Sequence, residues 1–315
     1  MTHVVVNADD LGIAHGVNAA IARAFRTGIL TSASVMANMP AFRDAVETVI
    51  TPNPRLGIGI HLILTSGPCV AEPRDVPLLV DSQGTFRHGF FEIRRLVRGA
   101  ARAVALAQIE RELRAQCEKV LAAGISVDHV DGHRHVHMIP EIWRIVVRLS
   151  AEYGWPYVRL ADERWNSMLS KRRVDVFVRN VPKKILLSGY ARRNRRFLSE
   201  ALLPRTVRVS DHLIGILDSD AITAENLRSR LSHLASGITE VVVHPGLRRH
   251  AGAGVASASS DTQLVCAPMD ARFVSSPNRQ RELEALTHPS VLSIARQRLH
   301  LTSFGELSKE TPRAA

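Results

Sequence analysis

Short apolar runs that each end in an ionisable residue constrain this chain more than any other feature. Val4-Val5-Val6 leads through Asn7-Ala8 into two adjacent carboxylates, Asp9 and Asp10. The run at 55–60 ends in His61, and the run at 240–243 ends in His244, followed at once by Pro245-Gly246. Between them, the stretch 126–138 carries Asp131, His133, His135 and His137 at alternating positions. Amphipathic stretches separate the runs. Val17, Ile21, Ala24 and Phe25 share one helical face ahead of a stop at Gly28, 105–123 closes at Gly124, and 140–153 opens on Pro140 and closes at Gly154. Strands alternating with helices predict a parallel sheet wrapped by helices, and 315 residues suit a single α/β barrel. The pattern further predicts one helix within 278–299 and, for 65–88, an irregular stretch too long for a plain connector, hence a functional loop.

In a parallel barrel the C-terminal strand ends share one rim, where active sites are built. One histidine at a strand end is more often structural, and an Asp after a strand is often a helix cap. Four such ends together are different, because unpartnered ionisable groups are costly to bury. A divalent cation would satisfy them: one carboxylate and two neutral imidazoles form a three-ligand set with an open position for water. Neighbouring residues of an extended chain point to opposite sides. One Asp can therefore hold the metal beside His61 while the other takes a proton from water, whose pKa the metal lowers. If the strand persists through 133–137, its histidines share a face, and only the one nearest the rim reaches the same ion.

Composition narrows the class. Three cysteines, Cys69, Cys117 and Cys266, are far apart and read as free thiols of a reducing compartment. No signal peptide and no spanning helix is visible, so a cytoplasmic location is expected, peripheral at the inner membrane face if the basic segment docks there. The net charge is +11, and the segment 171–208 holds 12 Lys/Arg against Asp175 and Glu200, which is nearly the whole excess. Interleaved apolar residues make it either a solvated helical face, an oligomer contact or a patch for anionic membrane. With no reader motif, no nucleic acid is expected as partner.

The motifs VNADDLG, GILTSASVMANMPAF, LGIGIHLILTSG, HVDGHRHVHMIP and EVVVHPG resemble, in order, those of the YdjC-like carbohydrate deacetylases, a family with chitooligosaccharide and hopanoid-associated branches. The likeness runs to about residue 307. It implies a deformed TIM-like (β/α) barrel with parallel strands and outer helices, one divalent metal ion (Zn or Mg), and removal of an N-acetyl group from a sugar. By motif position, Asp10, His61 and His133 would ligate the metal, Asp9 would be the general base, and His244 would protonate the leaving amine. Leu11 stands where the family usually has Phe, and the basic segment aligns with nothing in it. The expected organisation is one domain over 1–307 with a basic insertion at about 165–210 and a flexible tail at 308–315. The competing readings are another metal hydrolase, such as a phosphoesterase, and an inactive basic protein binding membrane or nucleic acid. No GxSxG elbow supports a serine hydrolase.

Overall fold

A computed structural model describes residues 2–164, 174–200, 207–217, 219, 221–247, 272 and 274–310, the side chains of 174–180 excepted. The strands are β1 (Thr2–Leu11), β2 (Ser32–Val35), β3 (Gly57–Leu62), β4 (His129–Gly132), β5 (Tyr157–Val158), β6 (His212–Ile214), β7 (Gly237–Val243) and β8 (His300–Leu301). Seven run in the order β5-β4-β3-β2-β1-β7-β6, with β8 beside the start of β1. Every ladder is parallel. Arg208, just ahead of β6, bridges to Tyr157 of β5, so one segment reaches both sheet edges and curls the sheet into the expected deformed barrel.

Alternation along β1 separates two environments. Val4, Val6 and Ala8 join the large apolar core, whereas Val5 packs with Tyr157, Phe304 and Leu307. Asn7 and Asp9 follow Val5 on that inner side. The interior is therefore polar above and aromatic at the base. His129 packs at a tilt against Phe304, 4.8 Å between ring centroids, while its Nε2 meets Asn7 Oδ1 at 3.0 Å. Gly59 of β3 is required here, because a Cβ would lie 2.3 Å from His129 Nε2.

The main helices are α1 (His15–Thr27), α2 (Phe42–Ala45, extended by a π-turn), α3 (Phe90–Leu96), α4 (Arg102–Ala122), α5 (Pro140–Tyr153), α6 (Val174–Glu200), α7 (Ala224–Leu231), α8 (Pro277–Leu286), α9 (Pro289–Arg298) and α10 (Phe304–Glu310). The single helix expected over 278–299 is two, because Pro289 starts a new helix behind the His288 cap. The expected tail begins in helix, since α10 runs through Glu310; residues 311–315 lie outside the described residues.

The basic segment is largely one helix. Leu187, Tyr190 and Ala191 of α6 are buried, and Asn194 Nδ2 donates to Met138 O at 3.0 Å. Lys171, Arg172, Arg173 and Arg205 lie outside the described residues, as does Cys266. Cys69 and Cys117 are free thiols. The long stretch 65–88 is pinned to α4: buried Glu112 accepts from Val70 N and Ala71 N at 2.9–3.1 Å.

Candidate active site

The C-terminal end of β1 does not continue as a regular strand. Ala8 pairs with Ala33 but Leu11 pairs with Val35, so Asp9 and Asp10 oppose one residue of β2. Asp10 adopts φ 68°, a left-handed conformation that costs energy for a residue with a Cβ. The bulge turns both carboxylates into the site, where strand alternation would send them to opposite faces. Asp10 Oδ1 comes to 3.3 Å from His133 Nδ1 and 3.6 Å from His61 Nε2. Asp10 and His61 are almost fully enclosed, and Oδ1 has no hydrogen-bond partner among the described residues.

Asp131, register partner of His61, sets the tautomer of that imidazole. His61 Nδ1–H donates to Asp131 Oδ1 at 2.7 Å, leaving the Nε2 lone pair aimed towards Asp10. These observations are what a divalent cation requires: an unsatisfied buried carboxylate oxygen, two imidazole nitrogens, and a carboxylate behind one of them. The three donor atoms lie within 4.8 Å of one another. Asp10 Oδ2 pairs with Arg279 of α8. Burial alone would raise the Asp10 carboxyl, but Arg279 and His133 hold it well below the usual carboxylate range.

Asp9 belongs to a different set of contacts. Arg159, just past β5, grips both of its oxygens at 2.7 Å, and Asn7 Nδ2 donates to Oδ1 at 3.0 Å. The same guanidinium reaches Asp131 Oδ2 and Glu240 Oε1, each at 2.6 Å. Burial would favour loss of its proton, but these three carboxylates hold it firmly charged. Ser34 Oγ donates to Asp131 Oδ2 at 2.8 Å, so Asp131 joins the two halves of the site. His244 Nε2 stands 3.8 Å from Asp9 Oδ2, and its backbone N donates to Glu282 Oε2 at 2.6 Å. Burial pushes His244 down to about 4, against the pull of Asp9 and Asp10, so it is neutral at pH 7.

The histidines of the HxHxH run do not share a face. β4 ends at Gly132, and 133–138 form a tight turn with Arg134 and His135 in left-handed backbone (φ 52° and 58°). Only His133 joins Asp10 and His61. His135 is buried beyond it. His137 packs over Gly132 and meets Arg159 O at 3.0 Å.

Sequence reasoning thus brings Asp9, Asp10, His61, His133 and His244 to one place, and it misses Arg159, Glu240, Arg279 and Glu282. Arg159 left a signal, a charge embedded in the apolar run YVRLA. Arg279 left none, since nothing in NRQRELE separates it from Arg281.

Comparison with known proteins gives a consistent picture. A family model described as YdjC-like protein matches residues 3–297. A carbohydrate deacetylase of Brevibacillus brevis is 44% identical over 153 residues, 49% of this chain and 57% of the relative. One from Geobacillus stearothermophilus is 42% identical over 155 residues, 49% of this chain and 58% of the relative. The chain therefore spans little more than half the length of these curated relatives. A carbohydrate deacetylase of Thermoanaerobacter pseudethanolicus is 28% identical over 248 residues, 78% of this chain and 81% of the relative. A crystal structure from Enterococcus faecalis V583, named as a candidate cellobiose-phosphate cleavage protein, superposes with a TM-score of 0.69 over 97% of this chain and 98% of that one. At 23% identity that likeness is one of fold.

Proposed function

The chain belongs to the YdjC-like family, and from that premise we propose that it is a metal-dependent deacetylase that hydrolyses the N-acetyl group of an N-acetylated sugar. The observation that carries this reading is Asp10 Oδ1, buried without a hydrogen-bond partner and facing two imidazole nitrogens, one residue from a second carboxylate in a different charge environment. Asp10, His61 and His133 would hold the cation, and two imidazoles favour zinc over magnesium. When bound, such an ion polarises an acyl carbonyl and acidifies a water.

The remaining chemistry belongs to the chain. The Arg159 fork holds and orients the Asp9 carboxylate beside the cation site, where it would accept a proton from the attacking water as general base. His244 is neutral at rest and must be protonated before it can serve as an acid. Asp9 Oδ2 and His244 Nε2 stand 3.8 Å apart, so they must close by about 1 Å before the proton gained at Asp9 can pass to His244 and then to the departing nitrogen. The Glu282 contact fixes the backbone from which that imidazole projects.

A lipid-linked sugar is the finer substrate reading. Phe91 of α3 and Ile185 of α6 are exposed, along with Arg192, Arg193 and Arg196, and Arg94 ties the two helices through Tyr190 OH at 2.7 Å. Apolar tips among cations suit peripheral contact with an anionic membrane.

Acetate release from N-acetylated glycans, soluble and carried on anionic vesicles, tests both levels. Asp9→Asn should keep its metal and lose roughly 10²–10⁴-fold in turnover. Near-normal turnover in that variant would remove Asp9 from the role of base. Equal rates on free and vesicle-borne sugars would remove the membrane reading.

A further inference from the structure

The donor set of the candidate active site recurs at the opposite end of β1. His3 there is the register partner of His300 in β8. Parallel pairing puts the two imidazoles side by side, with ring centroids 4.9 Å apart and Nδ1 atoms 3.0 Å apart. Glu310, the last residue of α10, brings Oε2 to 4.0 Å from His3 Nδ1. The three donor atoms lie within 4.8 Å of one another. Two nitrogens bound tetrahedrally at about 2.0–2.1 Å from zinc stand roughly 3.3 Å apart. The separations of 3.0 and 4.0 Å at this end bracket that value.

The nitrogen pair, with the Glu310 carboxylate beside it, is a set that a cation could use. Two imidazolium rings at this distance would repel, and two neutral rings satisfy each other only if one tautomer donates. A cation between them accepts both lone pairs and takes the Glu310 charge as well.

We propose that His3, His300 and Glu310 form a second metal site, of the zinc class, with its remaining positions open to solvent. It stands about 23 Å from Asp10, seven residues along β1 at roughly 3.3 Å each. The N-terminal strand ends are the stabilising face of a parallel barrel. This ion would join the first strand, the last strand and the final helix, and so stabilise the folded chain by binding it selectively.

Zinc titration of the chelator-treated full chain, with metal counted after desalting, tests the proposal. The wild type should retain two equivalents, Asp10→Asn and His300→Asn one each, and the double variant none. Zinc should raise the Tm of Asp10→Asn by about 2–4 °C and leave that of the double variant unchanged. Zinc-loaded His300→Asn should deacetylate within twofold of the wild type, and His3→Gln should repeat its behaviour. Asp10→Asn that retains no zinc, or a double variant that retains as much as Asp10→Asn, overturns the second site and leaves the first standing. A wild type with one equivalent that His300→Asn loses and Asp10→Asn keeps would count against the active-site reading.

Discussion

Asp9 and Asp10 are neighbours in the chain, yet they occupy two halves of the site built on different principles. The Asp10 half is under-satisfied: an oxygen without a hydrogen-bond partner faces His61 and His133, with Arg279 behind the other oxygen. The Asp9 half is closed: Arg159 binds three carboxylates, Asp9, Asp131 and Glu240, in a buried network. A half with an open valence can take up a cation. A half whose three carboxylates are tied to one buried guanidinium keeps its geometry through a proton transfer. Buried polar groups are usually partnered, so an unsatisfied carboxylate oxygen that faces two imidazole nitrogens marks where a ligand belongs.

The comparison breaks most visibly at Asp10. Asp10→Asn removes the charge while keeping the shape, and should weaken zinc at this end at least roughly a hundredfold, beyond the 10–100-fold usual for losing a partner behind a ligand. Calorimetric titration measures it, and unchanged affinity would mean that the open half is not a metal site. The closed half should respond in stability first. Arg159→Met strands three buried carboxylates and should cost about 3–5 kcal/mol, read by urea denaturation. A loss under about 1 kcal/mol would show that the network is not held by this guanidinium.

A smaller effect sharpens the closed half by pH. His137 contacts Arg159 O, and burial lowers it from 6.5 to about 4 in the fold. Between those values the unfolded chain binds the proton and the folded chain does not. The contribution of His137 is complete above about pH 6.5 and is lost as pH falls towards 4. His137→Gln should therefore lose less stability than the wild type between pH 7 and pH 5, by about 2 kcal/mol. Parallel pH curves for the two proteins would show that His137 is not buried neutral.

Much of this was legible because it is local. Val4, Val5 and Val6 announce a buried strand, Gly28 and Gly154 announce helix ends, and carboxylates or imidazoles after apolar runs announce the rim. The alternating histidines left their shared face conditional for an equally local reason. Period-two spacing implies a shared face only while the chain stays extended, and the left-handed turn at Arg134 and His135 ends that after Gly132. The one-residue difference between Asp9 and Asp10 suggested two roles through alternation, but the bulge and the positive φ of Asp10 turn both carboxylates into the site, and their partners, Arg159 and Arg279, set the roles apart.

The amino-acid order by itself determined the alternation of strand and helix, and through it the residues that meet at the rim: Asp9, Asp10, His61, His133 and His244. Only the tertiary structure decided the partners: Arg159 for Asp9, Arg279 for Asp10, Glu282 for the backbone of His244, and His300 for His3. Periodicity is a property of adjacent residues and can be read along a line. Charge pairing is a property of distance in space, and 269 positions separate Asp10 from Arg279 until the barrel closes.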